Sequence, residues 1–440
     1  MAARSWKAVP RTVGTLALLT SALPFNLALT TVALLRSAVA GRPRPATAAA
    51  PRTILVSGGK MTKALQLART FHRAGHRVVL VESSRYRLTG HRFSRDVDRF
   101  RIVPPPQSPG YAAALLRIVK EEQVDVYVPV CSPVASRHDA DAKEVLAGHC
   151  EVVHLDPDTL RTVDDKDGFA RLAASLGLDV PDTHRITDAG QVAAFDFAAA
   201  PGDTYVLKSI AYDPVHRLDL TPLPRPTAAE TAAFAASKPI SEANPWILQE
   251  FVRGEEFCTH STVRDGRQRV YGCCASSAFQ LNYAMVDEPA VAEWVRRFVA
   301  PLGTGQVSLD LIRTDDGRVY GIECNPRTHS AITMFDGHPG LADAYLTDGT
   351  EQIEPLPSSR PTYWLYHELW RMLSRPASAP ERLRVIARGR DAIFDWSDPL
   401  PFLMVHHLQI PWLLVGNLVR LKDWIRIDFN IGKLVEPAGD

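Results

Sequence analysis

Hydrophobicity is concentrated at the two ends of this chain and alternates with polar residues between them. Val13–Leu35 carries no charged residue. As a helix it would be about 35 Å long, enough to cross a bilayer. Pro24 and Asn26 interrupt its middle, so the pattern predicts a kinked span or a shallow re-entrant hairpin. Arg4, Lys7 and Arg11 precede it and Arg36, Arg42 and Arg44 follow, a near balance that leaves its orientation unassigned. Ala38-Val39-Ala40 mimics a signal-peptidase site, but the apolar stretch is long for a secretory leader. Near the other end, His406, His407, Gln409, Pro411 and Asn417 interrupt the apolar stretch Pro399–Val419. Trp412, Arg420, Lys422, Trp424 and Arg426 complete a mixture suited either to an interfacial anchor or to a helix packed on the body.

Ala40–Arg52 is rich in Pro, Ala and Arg and reads as a linker. The continuous apolar run Thr53–Ser57 predicts a buried parallel strand. Gly58-Gly59-Lys60 and an amphipathic helix through Ala74 follow, with Gly75 as the stop. Further strands are expected at Arg77–Glu82, Val124–Val130 and Glu151–Leu155, with a helix over Tyr111–Glu122. This alternation predicts a doubly wound α/β domain. Ser57–Thr62 lacks the spacing of a Walker loop, which leaves an anion or substrate contact or a plain tight turn.

Beyond residue 160 the pattern changes to α+β. A helix is expected over Asp164–Leu178, stopped by Gly177. Strands are expected at Tyr205–Ser209 and Trp246–Val252, with a helix over Thr227–Ser237 between them. Phe257–Val263 and Arg269–Cys274 form a hairpin around Asp265-Gly266, and Gly305–Arg313 and Arg318–Cys324 another around Thr314–Gly317.

The second hairpin carries chemistry. With Asp315-Asp316 as its loop, Asp310 lies opposite Gly321, two residues before Glu323. Asp310, Glu323 and Asn325 then share one face within diagonal reach. Two carboxylates and an amide oxygen are hard ligands, suited to Mg²⁺ that also holds phosphate. Lys166 and Lys208 are placed to neutralise phosphates. Gln249–Val252 ends a strand whose backbone could read an adenine edge, with Glu256 within reach of ribose hydroxyls.

A chain of 440 residues implies two or three domains. A net charge of +1 with dispersed basic residues gives no nucleic-acid footprint. The six cysteines show no C-x-x-C spacing, as expected for reduced thiols in a cytosolic enzyme.

Lys166, Lys208, the string QEFVRGEE, Asp310 and the string ECNPR occur in an order that resembles the ATP-grasp superfamily over roughly Thr53–Leu346. The resemblance implies a pre-ATP-grasp α/β domain at 46–160 and an ATP-grasp domain at 161–346, preceded by the membrane-associated segment and linker read at 1–45. The lid would lie at about 203–252, and an apolar helical tail at 347–440. It implies Lys166 and Lys208 on the phosphates, Gln249, Glu250 and Val252 at the adenine hinge, and Glu256 on ribose. Asp310, Glu323 and Asn325 would hold two Mg²⁺, with Mn²⁺ an accepted substitute, and Arg327 would stabilise the transferring phosphoryl group. The superfamily is often homodimeric. One departure stands out: the lid segment Ser209–Leu220 contains no glycine, so Ser209, His216 or Arg217 would have to cover ATP.

The longer strings LVSGGKMTKALQLAR, GHRFS, VYVPVCSPVAS, CTHSTVRDG and IECNPRTHSAITMF are similar to the mycosporine-glycine synthases, the ATP-grasp ligases of mycosporine biosynthesis. This implies glycine, 4-deoxygadusol and ATP as substrates. His260 or His329 would receive the amine proton, and Thr328, Ser330 and Ser132 would face the acceptor. It also implies a catalytic body on the cytoplasmic face of a membrane. The alternatives carried forward are another ATP-grasp carboxylate–amine ligase and a non-catalytic nucleotide-binding membrane protein.

Overall fold

The computed structural model describes residues 6, 8–41, 44–130, 132–211, 213, 216, 219–276 and 282–424. The first domain is the expected doubly wound unit. Five parallel strands lie in the spatial order Arg99–Val103, Arg77–Ser83, Thr53–Val56, Val126–Val128, Glu151–Val152. The order reverses between the strands ending at Val56 and Val128, which places a ligand crevice at their carboxyl ends. Two elements were not legible in the sequence. The edge strand Arg99–Val103 is largely exposed and interleaved with arginines, so it lacks an apolar run. The helix Ala135–Leu146 buries mostly small or polar residues.

The helix expected over Asp164–Leu178 is Lys166–Ser175, and a separate helix not read from the sequence, Pro157–Asp164, precedes it. The break falls at Asp165, whose carboxylate accepts the N–H groups of Asp167 and Gly168 at 3.0 Å each. That cap starts the second helix with Lys166 at its first position. Gly168 is required there because a Cβ would lie 2.4 Å from the Thr162 carbonyl oxygen.

Four antiparallel strands form the second sheet, in the order Arg267–Ala275, Glu255–Arg264, Gly305–Arg313, Val319–Asn325. Asp265 and Gly266 both take positive φ (48° and 71°), the tight-turn geometry predicted for this hairpin. Helix Pro289–Val299 buries Trp294, Val295 and Phe298 beneath the sheet against Phe169. A smaller antiparallel sheet joins Thr183–Ile186, Trp246–Glu250 and Tyr205–Ser209. It therefore begins about 20 residues before the expected lid, which had no apolar run to mark Thr183–Ile186.

Ala8–Val39 is one continuous helix with Pro24 inside it, so the re-entrant hairpin is corrected. A proline removes only one backbone bond from such a helix. Asn26, the other expected breaker, is bonded sideways to the Tyr366 hydroxyl and the His407 ring at 2.6 Å each. The tail runs antiparallel to it as Leu400–Met404, a widened turn over Val405–Gln409, and Ile410–Val419. Arg11 meets Trp424, Asn26 meets His407, and Ser37 meets the Trp396 carbonyl. The tail packs on the body through Phe402, Val405, Ile410 and Leu414, which are buried, while Trp412, Val415 and Val419 are exposed. Residues 4, 7, 42, 131, 217 and 426 lie outside the described residues.

A buried ion pair ties the tail to the first domain. The Arg69 guanidinium donates to Asp398, both groups being 1% exposed, at 3.0 Å. Asp398 also accepts the Ser94 hydroxyl at 2.6 Å and the Arg95 N–H at 3.0 Å. Breaking such a pair on one side leaves a buried charge without compensation, at a cost of about 3–5 kcal/mol. Asp398→Ala is therefore expected to lower the denaturant midpoint sharply by intrinsic fluorescence, and Asp398→Asn less, because the amide keeps an acceptor.

Candidate active site

The metal-ligand hairpin differs from its expected register in two steps. The loop is one residue longer, so Arg313 pairs with Val319 and Leu311 with Gly321. A bulge at Ile322 then adds a second step, and Asp310 faces Glu323 directly. One step alone would turn Glu323 to the opposite face; two restore it. Asn325 Nδ2 lies 3.4 Å from Asp310 Oδ2 and 3.3 Å from Glu323 Oε1, so the three expected ligands meet.

Burial and the neighbouring Glu323 push Asp310 well above the usual carboxylate range. Burial opposes the charge of Glu323 too, but Lys166 and then Lys208 hold it down to about 2. Lys166 Nζ is 3.2 Å from Glu323 Oε2. The donor set fits a hard cation: two crowded carboxylates call for positive charge between them, and turning the Asn325 amide presents its oxygen. Asp310, Glu323 and Asn325 are therefore the residues that would hold Mg²⁺.

All of this lines a cleft of about 1140 Å³ between the first domain, the large sheet and the small sheet. Lys208 comes from the small sheet, its ammonium donating to Gln249 Oε1 at 2.9 Å, and burial lowers its pKa. Gln249 thus holds Lys208 with its side chain. The Glu250 carboxylate turns aside to accept the Asp182 N–H at 3.1 Å. The Phe251 N–H is spent on the Thr204 carbonyl, and Val252 lines the cleft next to it. The hinge expectation therefore rests on the backbone of Glu250–Val252, with neither polar side chain directed at a base. Glu256 stands exposed at the cleft edge.

The described part of the lid segment explains how it manages without glycine. The Asp213 carboxylate accepts the His216 N–H at 3.1 Å and contacts its Nδ1 at 2.6 Å. The His216 ring packs edge-on against Trp246. Ser209 and His216 both line the cleft.

Arg327, Thr328, His329 and Ser330 follow the hairpin and line the same cleft. Thr328 donates to Gln306 Oε1 at 2.6 Å, and its carbonyl accepts from the Lys63 ammonium. The His329 Nδ1 accepts the Ala331 N–H at 3.3 Å, and its ring stands edge-to-face with Tyr283 at 5.4 Å.

Two expectations are corrected here. His260 does not reach the cleft: it is fully buried on the sheet, burial lowers its pKa well below the imidazole range, and its Nδ1 accepts the His329 N–H at 3.3 Å. Alternation along Glu255–Arg264 puts Cys258, not its odd-numbered neighbours, beside Asp310, and His260 lies one pair deeper. Ser132 is buried and caps the turn into the next helix through the Ala135 N–H at 3.3 Å; Pro133 and Val134 line the cleft in its place.

The glycine turn is held mainly by its own neighbours. Gly59 N–H donates to the Val81 carbonyl, Lys60 N–H to Glu82, and Lys60 sits over the Tyr86 ring. Within Ser57–Thr62, Met61 lines the cleft, as does Lys63 just beyond it. The sequence reading missed Arg137 and Asp164. Both line the cleft, and Asp164, raised by burial, is opposed by Arg327 and then Arg137. Arg137 sits at the start of the unpredicted helix after VYVPVCSPVAS, and that string was its only signal. Among the described residues, Cys150, Cys258, Cys273, Cys274 and Cys324 form no disulfide. Cys258 and Cys274 are cross-strand neighbours with Sγ atoms 3.3 Å apart; that contact and then burial keep the Cys258 thiol protonated.

No protein-family profile matches the chain, and no curated relative does. Solved structures do. N5-carboxyaminoimidazole ribonucleotide synthetase in its ADP complex superposes with a TM-score of 0.54 at 14% identity, covering 74% of this chain and 86% of that one. This is the ATP-grasp fold. The same enzyme from Staphylococcus aureus with ADP gives 0.50 at 15% identity, over 70% and 80% of the two chains. Biotin carboxylase from Campylobacter jejuni, a β,γ-ATP complex, gives 0.50 at 14%, over 67% and 71%. Placed on the ATP-grasp fold, the cleft lies between the small and large sheets, where Lys208 and the Asp310–Glu323 pair face one another. Removing one charged group that positions phosphate costs on the order of 10²–10³ in rate. Asp310→Ala and Glu323→Ala are each expected to cut ATP-dependent phosphate release by at least about that factor, with the circular dichroism unchanged.

Proposed function

We propose that this chain is an ATP-dependent ligase that phosphorylates 4-deoxygadusol and joins glycine to it, giving mycosporine-glycine, ADP and phosphate. The observation that carries the reading is the layout of one cleft. Asp310, Glu323, Asn325, Lys166 and Lys208 line one cleft together with Arg327, and His329, Ser330 and Tyr283 line the same cleft. The first group suits a polyphosphate and the last a small polar ring. The choice of 4-deoxygadusol and glycine comes from the similarity of the five longer strings to the mycosporine-glycine synthases.

4-Deoxygadusol is a vinylogous acid whose enolic oxygen leaves poorly. That oxygen attacks the γ-phosphorus of ATP, the bridging bond breaks, and ADP departs. The glycine amine then adds to the activated carbon, and the oxygen leaves with its phosphate. One proton is lost from nitrogen. Mg²⁺, when bound, supplies charge neutralisation for the phosphate oxygens. Lys208, held by Gln249, and Lys166, held by Glu323, position phosphates. Arg327 is permanently cationic and meets the phosphoryl group between the two substrates. His329 receives the amine proton, its ring held by Tyr283 and by the Ala331 N–H. His260 acts through His329 as a positioning residue.

A different ATP-grasp reaction, joining an amine to a carboxylate acceptor, uses the same phosphate end. The deciding assay gives the purified full chain ATP, Mg²⁺, glycine and either 4-deoxygadusol or a panel of amino acids. Phosphate release with an ultraviolet shift on 4-deoxygadusol supports the proposal. Phosphate release with carboxylates alone overturns the acceptor, and none with any acceptor, from folded protein, overturns the ligase. General acid–base groups contribute about 10²–10⁴-fold. His329→Ala is expected to lower kcat by at least ~100-fold with KM for ATP unchanged, whereas His260→Gln, which keeps an acceptor, loses far less.

A further inference from the structure

The N-terminal helix has its polarity inverted. The stripe it turns inward contains Thr12, Thr15, Leu19, Asn26, Thr30 and Ala33. The outward side carries Val13, Leu18, Phe25, Val32, Leu35 and Val39, with Phe25 77% and Leu35 61% exposed. A helix on a water-soluble surface has the opposite arrangement. Small and hydroxyl or amide side chains turned inward, with hydrocarbon outward, are the pattern of helices packed in lipid.

The polar contacts show how the helix is held. Thr12 accepts the indole N–H of Trp424 at 3.0 Å. Asn26 bonds Tyr366 and His407, and Ser37 donates to the Trp396 carbonyl at 3.1 Å. The helix is therefore fastened along its length, and from Asn26 to Ser37 it lies against the body. The exposed apolar strip nevertheless continues to Val39, about 39 Å from Val13 at 1.5 Å per residue. Standing the helix across a bilayer would leave the half beside the body, with Val32, Leu35 and Val39, in water. Laying it flat buries the whole strip.

The neighbouring surface continues the strip. Leu369 and Leu373 are exposed on the same face of helix Leu365–Ser374 as Tyr366, which touches Asn26. Trp412, Val415 and Val419 are exposed on the tail helix that packs antiparallel to the N-terminal one. Trp396 and Trp412 are 45% and 46% exposed, each with an arginine over its ring, Arg36 and Arg87. Amphipathic rings paired with cations suit the headgroup level. Arg36 and Arg420 are exposed on or at the end of the two antiparallel helices, Arg375 at the end of helix Leu365–Ser374, and Arg384 and Arg388 on the next helix, Ala379–Arg388, which packs against it. Glu381 is paired to Arg382, and Glu368 is buried. The rim is therefore cationic, which complements anionic lipid.

We propose that this face is a monotopic membrane-binding surface, on which helix Ala8–Val39 lies in the plane of an anionic bilayer without crossing it. The proposal is independent of the acceptor chemistry.

The test adds purified full chain to sealed vesicles of phosphatidylglycerol or phosphatidylcholine and measures flotation. The expected result is flotation with phosphatidylglycerol vesicles and weaker flotation with phosphatidylcholine. The triple substitution Leu18→Glu, Phe25→Glu and Val32→Glu is expected to reduce it at least tenfold. Those side chains face outward, so circular dichroism and the unfolding midpoint should not change. Arg384→Glu with Arg388→Glu should remove the preference for anionic lipid. An N-terminal tag on the floated protein should be fully cleaved by protease outside the vesicle. A protected tag means a spanning helix and overturns the proposal. Flotation unaffected by the three glutamates overturns it. Protein that does not float but forms a dimer abolished by the glutamates assigns the face to a second copy, which also overturns it, as does protein that does neither.

Discussion

Two carboxylates placed side by side on the wall of this cleft set the terms for the rest of it. Asp310 and Glu323 are directly paired across a hairpin, where like charges repel and burial strengthens the repulsion. The fold answers with cations from three separate elements. Lys166 reaches Glu323 from a helix start, Lys208 comes from the small sheet, and Arg327 from the turn that leaves the hairpin. The helix break at Asp165, the bond from Lys208 to Gln249 and the register of the hairpin each set where one of these charges sits. A hard divalent ion would complete the balance that the lysines begin.

The hairpin also shows what a sequence can and cannot disclose. Its ligand types, its turn and the sharing of one face were legible, because alternation along a strand is a property of the chain alone. The pairing of Asp310 with Glu323 was not. It depends on a longer loop and a bulge at Ile322, and nothing in GIEC announces a bulge. Long apolar strands and capped helices could be read for the same reason that the edge strand Arg99–Val103 could not: only buried elements leave an apolar pattern. His260 failed differently. Its residue type was informative but its depth was not, since every side chain from Phe257 to Arg264 is buried on one face or the other. Gln249 was placed in the right cleft and given the wrong contact, because a side chain's partner depends on a strand distant in sequence.

The acceptor end is framed by polar bonds that cross between domains. Gln306 accepts from Thr328 and from Tyr345 at 2.9 Å, and donates to the Pro129 carbonyl at 3.0 Å. Lys63 reaches the Thr328 carbonyl from the first domain, and Ser136 donates to the Pro326 carbonyl at 2.7 Å. The turn Pro326–Ser330 is thus held from both sides, by the α/β domain and by the large sheet. A substrate bound here would feel any shift between the two domains. That is a physical reason for the first domain to be part of the site although it supplies none of the metal ligands.

The lid differs in kind from a glycine-rich one. Glycines let a loop approach phosphate with its backbone and move easily. Here Asp213 and His216 close a side-chain-bonded turn, and Trp246 buttresses the imidazole. Such a turn trades backbone reach for a fixed imidazole facing the cleft. The His216 ring lines the cleft beside Ser209, so this segment presents side chains there, whereas a glycine could offer only N–H groups. The missing glycine therefore does not remove the lid's means of meeting anions. In the proposed ligase that task would pass from backbone to side chain, and would depend on the geometry of one aspartate–histidine pair.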